Sequence, residues 1–224
     1  MKNLKTMALI AIVILAISCK KEKAATIDTR PVDIDGNVYD TVRIGSQTWM
    51  VQNLRTTRYN DGTPITTNLD DPAWSTNTIG AYTIYDNDTA NNTLYGKLYN
   101  WFAVNTGKLA PAGWHVPTNT EWNSLRIFLG TDGGNKMKAT TLWTAEPSIT
   151  NSNSSGFTAL PAGYRYPNGA FLWLGGQGYF WSSNVTSGGY PYKIQLSYNS
   201  SDINIGTTIS NTKREGFSVR CIRN

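Results

Sequence analysis

His115 is the only histidine in a chain of 224 residues, and that removes much of the catalytic repertoire. Zinc sites built on two or three imidazoles cannot be assembled around it. A Ser/His/carboxylate triad would have to converge on His115, and no Gly-x-Ser-x-Gly turn offers the nucleophile. Lying between Trp114 and Val116 at a helix start, it reads as a structural histidine. The thiols are equally sparse, Cys19 and Cys221 alone. Cys221 reads as a small buried hydrophobe in a terminal strand; the alternative, a nucleophile or redox thiol, finds no evident basic partner in the pattern. Oxygen-rich stretches raise the question of calcium. Asp33-Ile34-Asp35-Gly36-Asn37 alternates oxygen ligands before a glycine but lacks the later bidentate Glu of a calcium loop, so a hairpin turn is the preferred reading. Asp86, Asp88, Asn87, Asn91 and Asn92 read as solvated turn residues, with a calcium-holding loop as the alternative. No metal and no cofactor is therefore assigned. Paired carboxylates for glycoside hydrolysis stay open, although Glu121 is already explained by helix capping.

The positive signal is aromatic. Eight Trp and twelve Tyr occur in the chain, and Tyr164, Tyr166, Trp173, Tyr179, Trp181, Tyr190 and Tyr192 crowd among Asn, Gln and Ser. Rings with polar tips supply contact area and hydrogen bonds together, which suits sugars or peptides. The competing reading is that such rings fill a core poor in Leu and Ile. Trp173, Tyr179, Trp181 and Tyr190 are the candidate ligand-binding residues. Trp173, between Leu172 and Leu174 and next to Gly175-Gly176, is the one most in need of an exposure test.

The start of the chain carries an address. Lys2 and Lys5 precede an apolar run from Met7 to Ile17, which ends at Ser18-Cys19 and the charged Lys20-Lys21-Glu22-Lys23. The run is far shorter than the roughly 20 residues of a membrane span and reads as a secretory segment. Leu15-Ala16-Ile17-Ser18-Cys19 resembles the lipobox of bacterial lipoproteins, with Ala16 where Leu is usual. That resemblance implies removal of residues 1–18, acylation of Cys19 and a tether over 19–31. Several acyl chains on one residue hold a protein to a bilayer far better than one, at about 0.8 kcal/mol per buried CH₂. Of 20 basic and 15 acidic residues, Lys2, Lys5, Lys20, Lys21, Lys23 and Glu22 precede Ala24. The remainder is nearly neutral, which gives no reason to propose nucleic acid as a partner.

The elements that must position these residues are mixed. Asp35-Gly36-Asn37 predicts a hairpin between Val32-Asp33-Ile34 and Val38-Tyr39, with further strand pattern from Val42 to Val51 around Gly45-Ser46. Residues 56–78 read as a long loop, and Leu94 to Val104 as one short helix. Thr118-Asn119-Thr120-Glu121 is a capping box, followed by Trp122, Leu125, Phe128 and Leu129 at helical spacing up to Gly130. Beyond Gly133 the pattern predicts turns and strands at Phe171 to Leu174, Tyr179 to Ser182, Tyr192 to Leu196, Ile203 to Thr207 and Phe217 to Ile222. The sum is a single α+β domain over 32–224, with short helices early and a meandering antiparallel sheet late.

Several segments are recognisable together. Asp33-Ile34-Asp35-Gly36-Asn37-Val38-Tyr39, Ile44-Gly45-Ser46-Gln47-Thr48-Trp49-Met50, Gln52-Asn53-Leu54, Tyr59-Asn60-Asp61-Gly62, Gly113-Trp114-His115-Val116-Pro117-Thr118, Glu121-Trp122 and Gly216-Phe217-Ser218-Val219-Arg220-Cys221 resemble the Fibrobacter succinogenes major paralogous domain. The resemblance covers nearly all of the chain after the tether. It implies an exported lipoprotein of a Bacteroidetes-like bacterium and no particular reaction. Many members carry Cys where this chain has Ala110, which by resemblance would pair with the Cys at 221; here that staple is missing and Cys221 is expected buried and unpaired. Val116-Pro117-Thr118, Glu121-Trp122 and the Gly-Phe-x-x-Arg-Cys segment also look like the plan of formylglycine-generating enzymes, which have a C-type-lectin-like fold. Those enzymes need paired cysteines that bind copper, and one thiol cannot supply them. Asp88-Thr89-Ala90 and Asp40-Thr41-Val42 resemble the short O-glycosylation acceptor of such bacteria.

The expectation is a non-enzymatic lipoprotein, held by membrane lipid through acylated Cys19. It would be exported and anchored in the outer membrane on its periplasmic or cell-surface side, with a lectin-like domain binding a ligand such as glycan. A structural role, or one binding an envelope protein, is the second reading, and a degenerate enzyme the third.

Overall fold

The computed structural model describes residues 29–208 and 212–224. The secretory run and Cys19 lie outside the described residues. Gly36, at φ +84°, turns the first hairpin, and Val32 bridges Val38. Asp33 closes it by accepting from the N–H groups of Asp35 and Asn37 at 3.0 and 2.9 Å. A second hairpin follows, β1 (Thr41–Ile44) against β2 (Gln47–Met50) around Gly45.

The expected loop over 56–78 contains a helix, α1 (Asp71–Thr76). Its signal was local: Asp70 Oδ1 accepts from Ala73 N–H at 2.8 Å, Pro72 sits in the first turn, and Trp74 is its one buried residue. The expected single helix over 94–104 is three elements. After β3 (Tyr82–Thr83), α2 (Thr89–Tyr95) ends at Gly96, whose φ of +77° a helix cannot continue. Then come β4 (Leu98–Tyr99), paired with β3, and α3 (Trp101–Val104), capped by Asn100. Past β5 (Trp114–His115), α4 (Asn119–Leu129) forms as the capping box predicts and stops at Gly130. Phe128 departs from its expected core position and is 63 % exposed.

A short helix that the pattern did not predict, α5 (Gly133–Met137), packs so tightly on residues 201–202 that a Cβ on Gly134 would lie 2.5 Å from the Asp202 carbonyl oxygen. Two of its five residues are glycine, which hides it from any propensity argument. The later strands are β6 (Ala162–Arg165), β7 (Phe171–Leu174), β8 (Gln177–Val185), β9 (Pro191–Ser197), β10 (Asn204–Thr207) and β11 (Ile222–Arg223). They form a five-stranded sheet ordered β10-β9-β8-β6-β7, while β11 completes a four-stranded sheet ordered β1-β2-β11-β5. The pairings are antiparallel except β6 with β8, which run parallel where Gly163 meets Gly178. The fold class is α+β.

The expected strand from Phe217 to Ile222 is not continuous. Gly216 bridges Arg165, Phe217 bridges Tyr99, and Ser218 bridges Phe180 before Ile222 enters the other sheet. This segment thus touches all three sheets. Its residues divide between two cores on opposite faces of β8: Phe217 joins Tyr179 and Trp181, while Ile222 joins Phe180, Trp49, Trp122 and Phe157. Cys221 is buried and unpaired, and burial pushes its thiol up to about 12.

Candidate ligand-binding site

The four aromatic candidates do not converge. Tyr179 and Trp181 are corrected to core residues. Strand β8 lies at the centre of its sheet with a hydrophobic cluster on each face, so its side chains are buried on both sides instead of alternately. Tyr179 stacks on Phe217 at 4.9 Å, and Trp181 Nε1 donates to the Tyr99 carbonyl at 2.6 Å. Neither ring is on the surface. Trp173 and Tyr190 are exposed, 52 % and 42 %, but at opposite ends of β8. Nine residues of strand put roughly 26 Å between those ends.

Trp173 is the more unusual of the two. Its φ is +66°, a left-handed conformation that costs a bulky L-residue on the order of 1 kcal/mol. The flanking register, Ala162 with Leu174 and Tyr164 with Leu172, places Trp173 opposite Gly163, itself at φ +61°. Only glycine fits at 163, where a Cβ would lie 2.5 Å from the Leu172 carbonyl oxygen. The paired kink breaks the alternation of β7, so that Trp173 and Leu174 are both exposed. The turn beyond is pinned on every side. Gly176 N–H donates to Trp173 O, Gly175 N–H to Pro161 O, Thr144 N–H to Gly175 O and Tyr198 N–H to Gly176 O, all at 2.8 to 3.0 Å. The indole is therefore presented on a fixed backbone.

Beside this turn lies a cavity of about 420 Å³ lined by Trp143, Thr144, Glu146, Asn151 and Tyr198, among others. Trp143 Nε1 donates to Ala159 O at 3.0 Å, and the buried Lys138 ammonium sits 5.4 Å from its ring. Lys138 Nζ is held by the carbonyls of Ser197 and Ser200, and burial lowers it to about 8. Among the described residues no donor reaches the buried Oδ1 of Asn151. These residues are not among the sequence candidates: Trp143 stands alone in its stretch, and Tyr198 is followed by Asn199, Ser200 and Ser201.

A larger open groove, about 840 Å³, runs between α4 and β9–β10 with Asn123, Arg126, Tyr192, Asp202 and Asn204 along it. It holds a single aromatic ring, and Arg126 is turned onto its own helix, donating to Asn123 Oδ1.

The other candidates are occupied structurally. His115 bonds Glu121 Oε1 through Nε2 at 2.8 Å and Asn224 Oδ1 through Nδ1 at 2.7 Å. Burial alone would raise Glu121, but donors from Thr118 and His115 together hold it below its ordinary value. Asp35 accepts from Thr57 N–H, Thr57 Oγ1 and Arg58 Nε; despite partial burial these bring its carboxyl to about 2. Asp88 caps α2 through Ala90 N–H, Asn92 takes Lys97 Nζ, and Asn87 takes the Thr83 hydroxyl.

Comparison with known proteins decides the kinship. A family model described as the Fibrobacter succinogenes major domain matches residues 42–223. The chain belongs to that family. The match spans both hydrophobic cores and the Trp173 turn, so the cavity beside Trp143 is a feature of the Fibrobacter succinogenes major domain as this chain builds it. Neither curated proteins nor solved structures gave a match. Among the described residues no helix is long and apolar enough to cross a membrane.

Proposed function

We propose that this protein is an envelope lipoprotein, held in the outer membrane by acyl chains on Cys19, whose lectin-like domain over 32–224 binds glycan without catalysing a reaction. The observation that carries the reading is Trp173: a half-exposed indole, in a strained conformation, on a turn fixed by backbone bonds. Strain of this kind persists where the surroundings over-determine it and clusters at functional sites. A flat, preorganised ring is what stacking on the C–H face of a sugar requires.

Binding on a glycan array is expected to fall about tenfold with Trp173→Ala. Stability supplies a second signature. Trp173→Gly should be more stable than Trp173→Ala by roughly 1 kcal/mol, because glycine alone accepts φ +66° without strain, yet should bind no better. Unchanged array binding in both variants would remove the reading. The anchor is tested separately. Metabolic labelling with palmitate should mark the wild type, and Cys19→Ala should lose both the label and membrane partition; a labelled variant would refute the assignment of Cys19.

A protein-interaction role is the second reading, favoured by Ile127 and Phe128. These neighbours on α4 are 68 % and 63 % exposed, an apolar pair suited to an envelope protein partner.

A further inference from the structure

We infer that the Trp173 face carries two adjoining sugar subsites of different character, so that the ligand is a stretch of glycan chain and not a free monosaccharide. The inference rests on the glycan reading above and asks what lengths of sugar the surface can distinguish.

The first subsite is the cavity. At about 420 Å³ it falls at the small end of ligand pockets, a size for one ring. Its lining reads hydroxyl groups. Trp143 and Tyr198 offer ring faces, Glu146 a carboxylate, Thr140 and Thr144 hydroxyls.

The second subsite is Trp173, which lies outside the cavity lining. Its exposed chain neighbour is Leu174, so it offers stacking and little hydrogen bonding. Gly176 separates the two. A Cβ there would sit 3.2 Å from Trp173 Cε3 and 3.8 Å from Tyr198 Cδ1, so the two rings flank this buried glycine and lie next to each other. The carbonyls of Gly175 and Gly176 are already taken by Thr144 and Tyr198. A chain passing from one ring to the other therefore leaves these two carbonyls paired, and the division of labour follows: one sugar is read in the cavity and the next is stacked on Trp173.

The test is calorimetric titration with three series, glucose to cellotetraose, xylose to xylotetraose, and N-acetylglucosamine to its tetramer, each as mono-, di- and tetrasaccharide. In the series that binds, the disaccharide should exceed the monosaccharide by about tenfold, the worth of one aromatic stacking contact, with little further gain at four units. Trp173→Ala should reduce every length to the monosaccharide value. Gly176→Val should do the same by pushing the Trp173 ring out of place, whereas Tyr198→Ala should weaken all lengths together; thermal melts establish that each variant is folded. Equal affinity for one and two units, weakened alike by Trp173→Ala, would overturn the two-subsite inference and leave the glycan reading standing. Absence of binding in all three series would overturn both.

Discussion

Replacing Arg220 by Ala is expected to cost about 3–5 kcal/mol, the range for breaking a buried charge network, which removes a large part of the stability of a domain this size. The side chain is fully buried, and the hydrogen-bond partners of its guanidinium among the described residues are all neutral. Nε and Nη2 donate to Asn53 Oδ1 at 3.1 and 2.8 Å, and Nη1 donates to the carbonyls of Met50 and Phe157 at 3.1 and 2.6 Å. The ring of Phe157 lies 4.5 Å from Cζ and that of Phe180 5.7 Å. Burial pulls Arg220 down to about 9, so at neutral pH the charge remains and the dipoles of carbonyls and rings must hold it. Truncation leaves those acceptors buried and unpaired, with a cavity between two aromatic residues. Arg220→Lys should recover little, because one ammonium cannot reproduce the planar fork. Urea unfolding is the measurement. The exposed Arg126→Ala serves as the control, expected to change stability by less than about 0.5 kcal/mol. Equal midpoints for the two variants would refute the assigned role.

Between about pH 4.5 and 7 the wild type is expected to lose stability that Glu215→Gln keeps. Glu215 is 5 % exposed, its Oε2 has no hydrogen-bond partner among the described residues, and burial raises its carboxyl from 4.5 to about 7. Lys193 opposes the shift only partly, for its ammonium lies over the rings of Tyr179 and Phe217 at 5.2 and 5.7 Å. The other titratable groups facing the carboxyl are the phenols of Tyr164 and Tyr179, both raised by burial and neutral throughout this range. A carboxyl whose folded value exceeds its unfolded one binds more protons when folded. Its contribution is complete below 4.5, declines as pH rises, and is gone above about 7. The whole excursion is on the order of 3 kcal/mol. Glutamine preserves the shape without the charge, so Glu215→Gln should match the wild type near pH 4 and exceed it at pH 8. Parallel stability profiles for the two proteins would show that the carboxylate is solvated after all.

Where structure was legible in the sequence, the cause was local. Thr118 and Glu121 sit three residues apart and bond each other reciprocally, so their geometry follows from their spacing. Gly36 and Gly130 end their elements for reasons of φ alone. The illegible parts depend on distant segments. Tyr179 and Trp181 read as candidates because a strand with polar neighbours normally keeps one face in solvent; only the placement of β8 between two cores buries both. The cavity was hidden because Trp143 and Tyr198 are brought together by sheet order, and the exposure of Trp173 was open until its pairing with Gly163 was known. Arg220 and Asn53 are 167 positions apart, and no period or spacing announces such a pair.

The manner in which residues 216–223 are laid into the molecule has a consequence for the order of events during folding. They bridge Arg165, Tyr99 and Phe180, then pair with Trp49 and His115, so neither core can close before they are present. Everything synthesised ahead of them must wait as partly formed hairpins and helices with open seams. Contacts of such long range make for slow assembly. A chain of this kind stays loose until residues 216–223 are laid between its sheets, and one short segment thereby sets the pace for both cores.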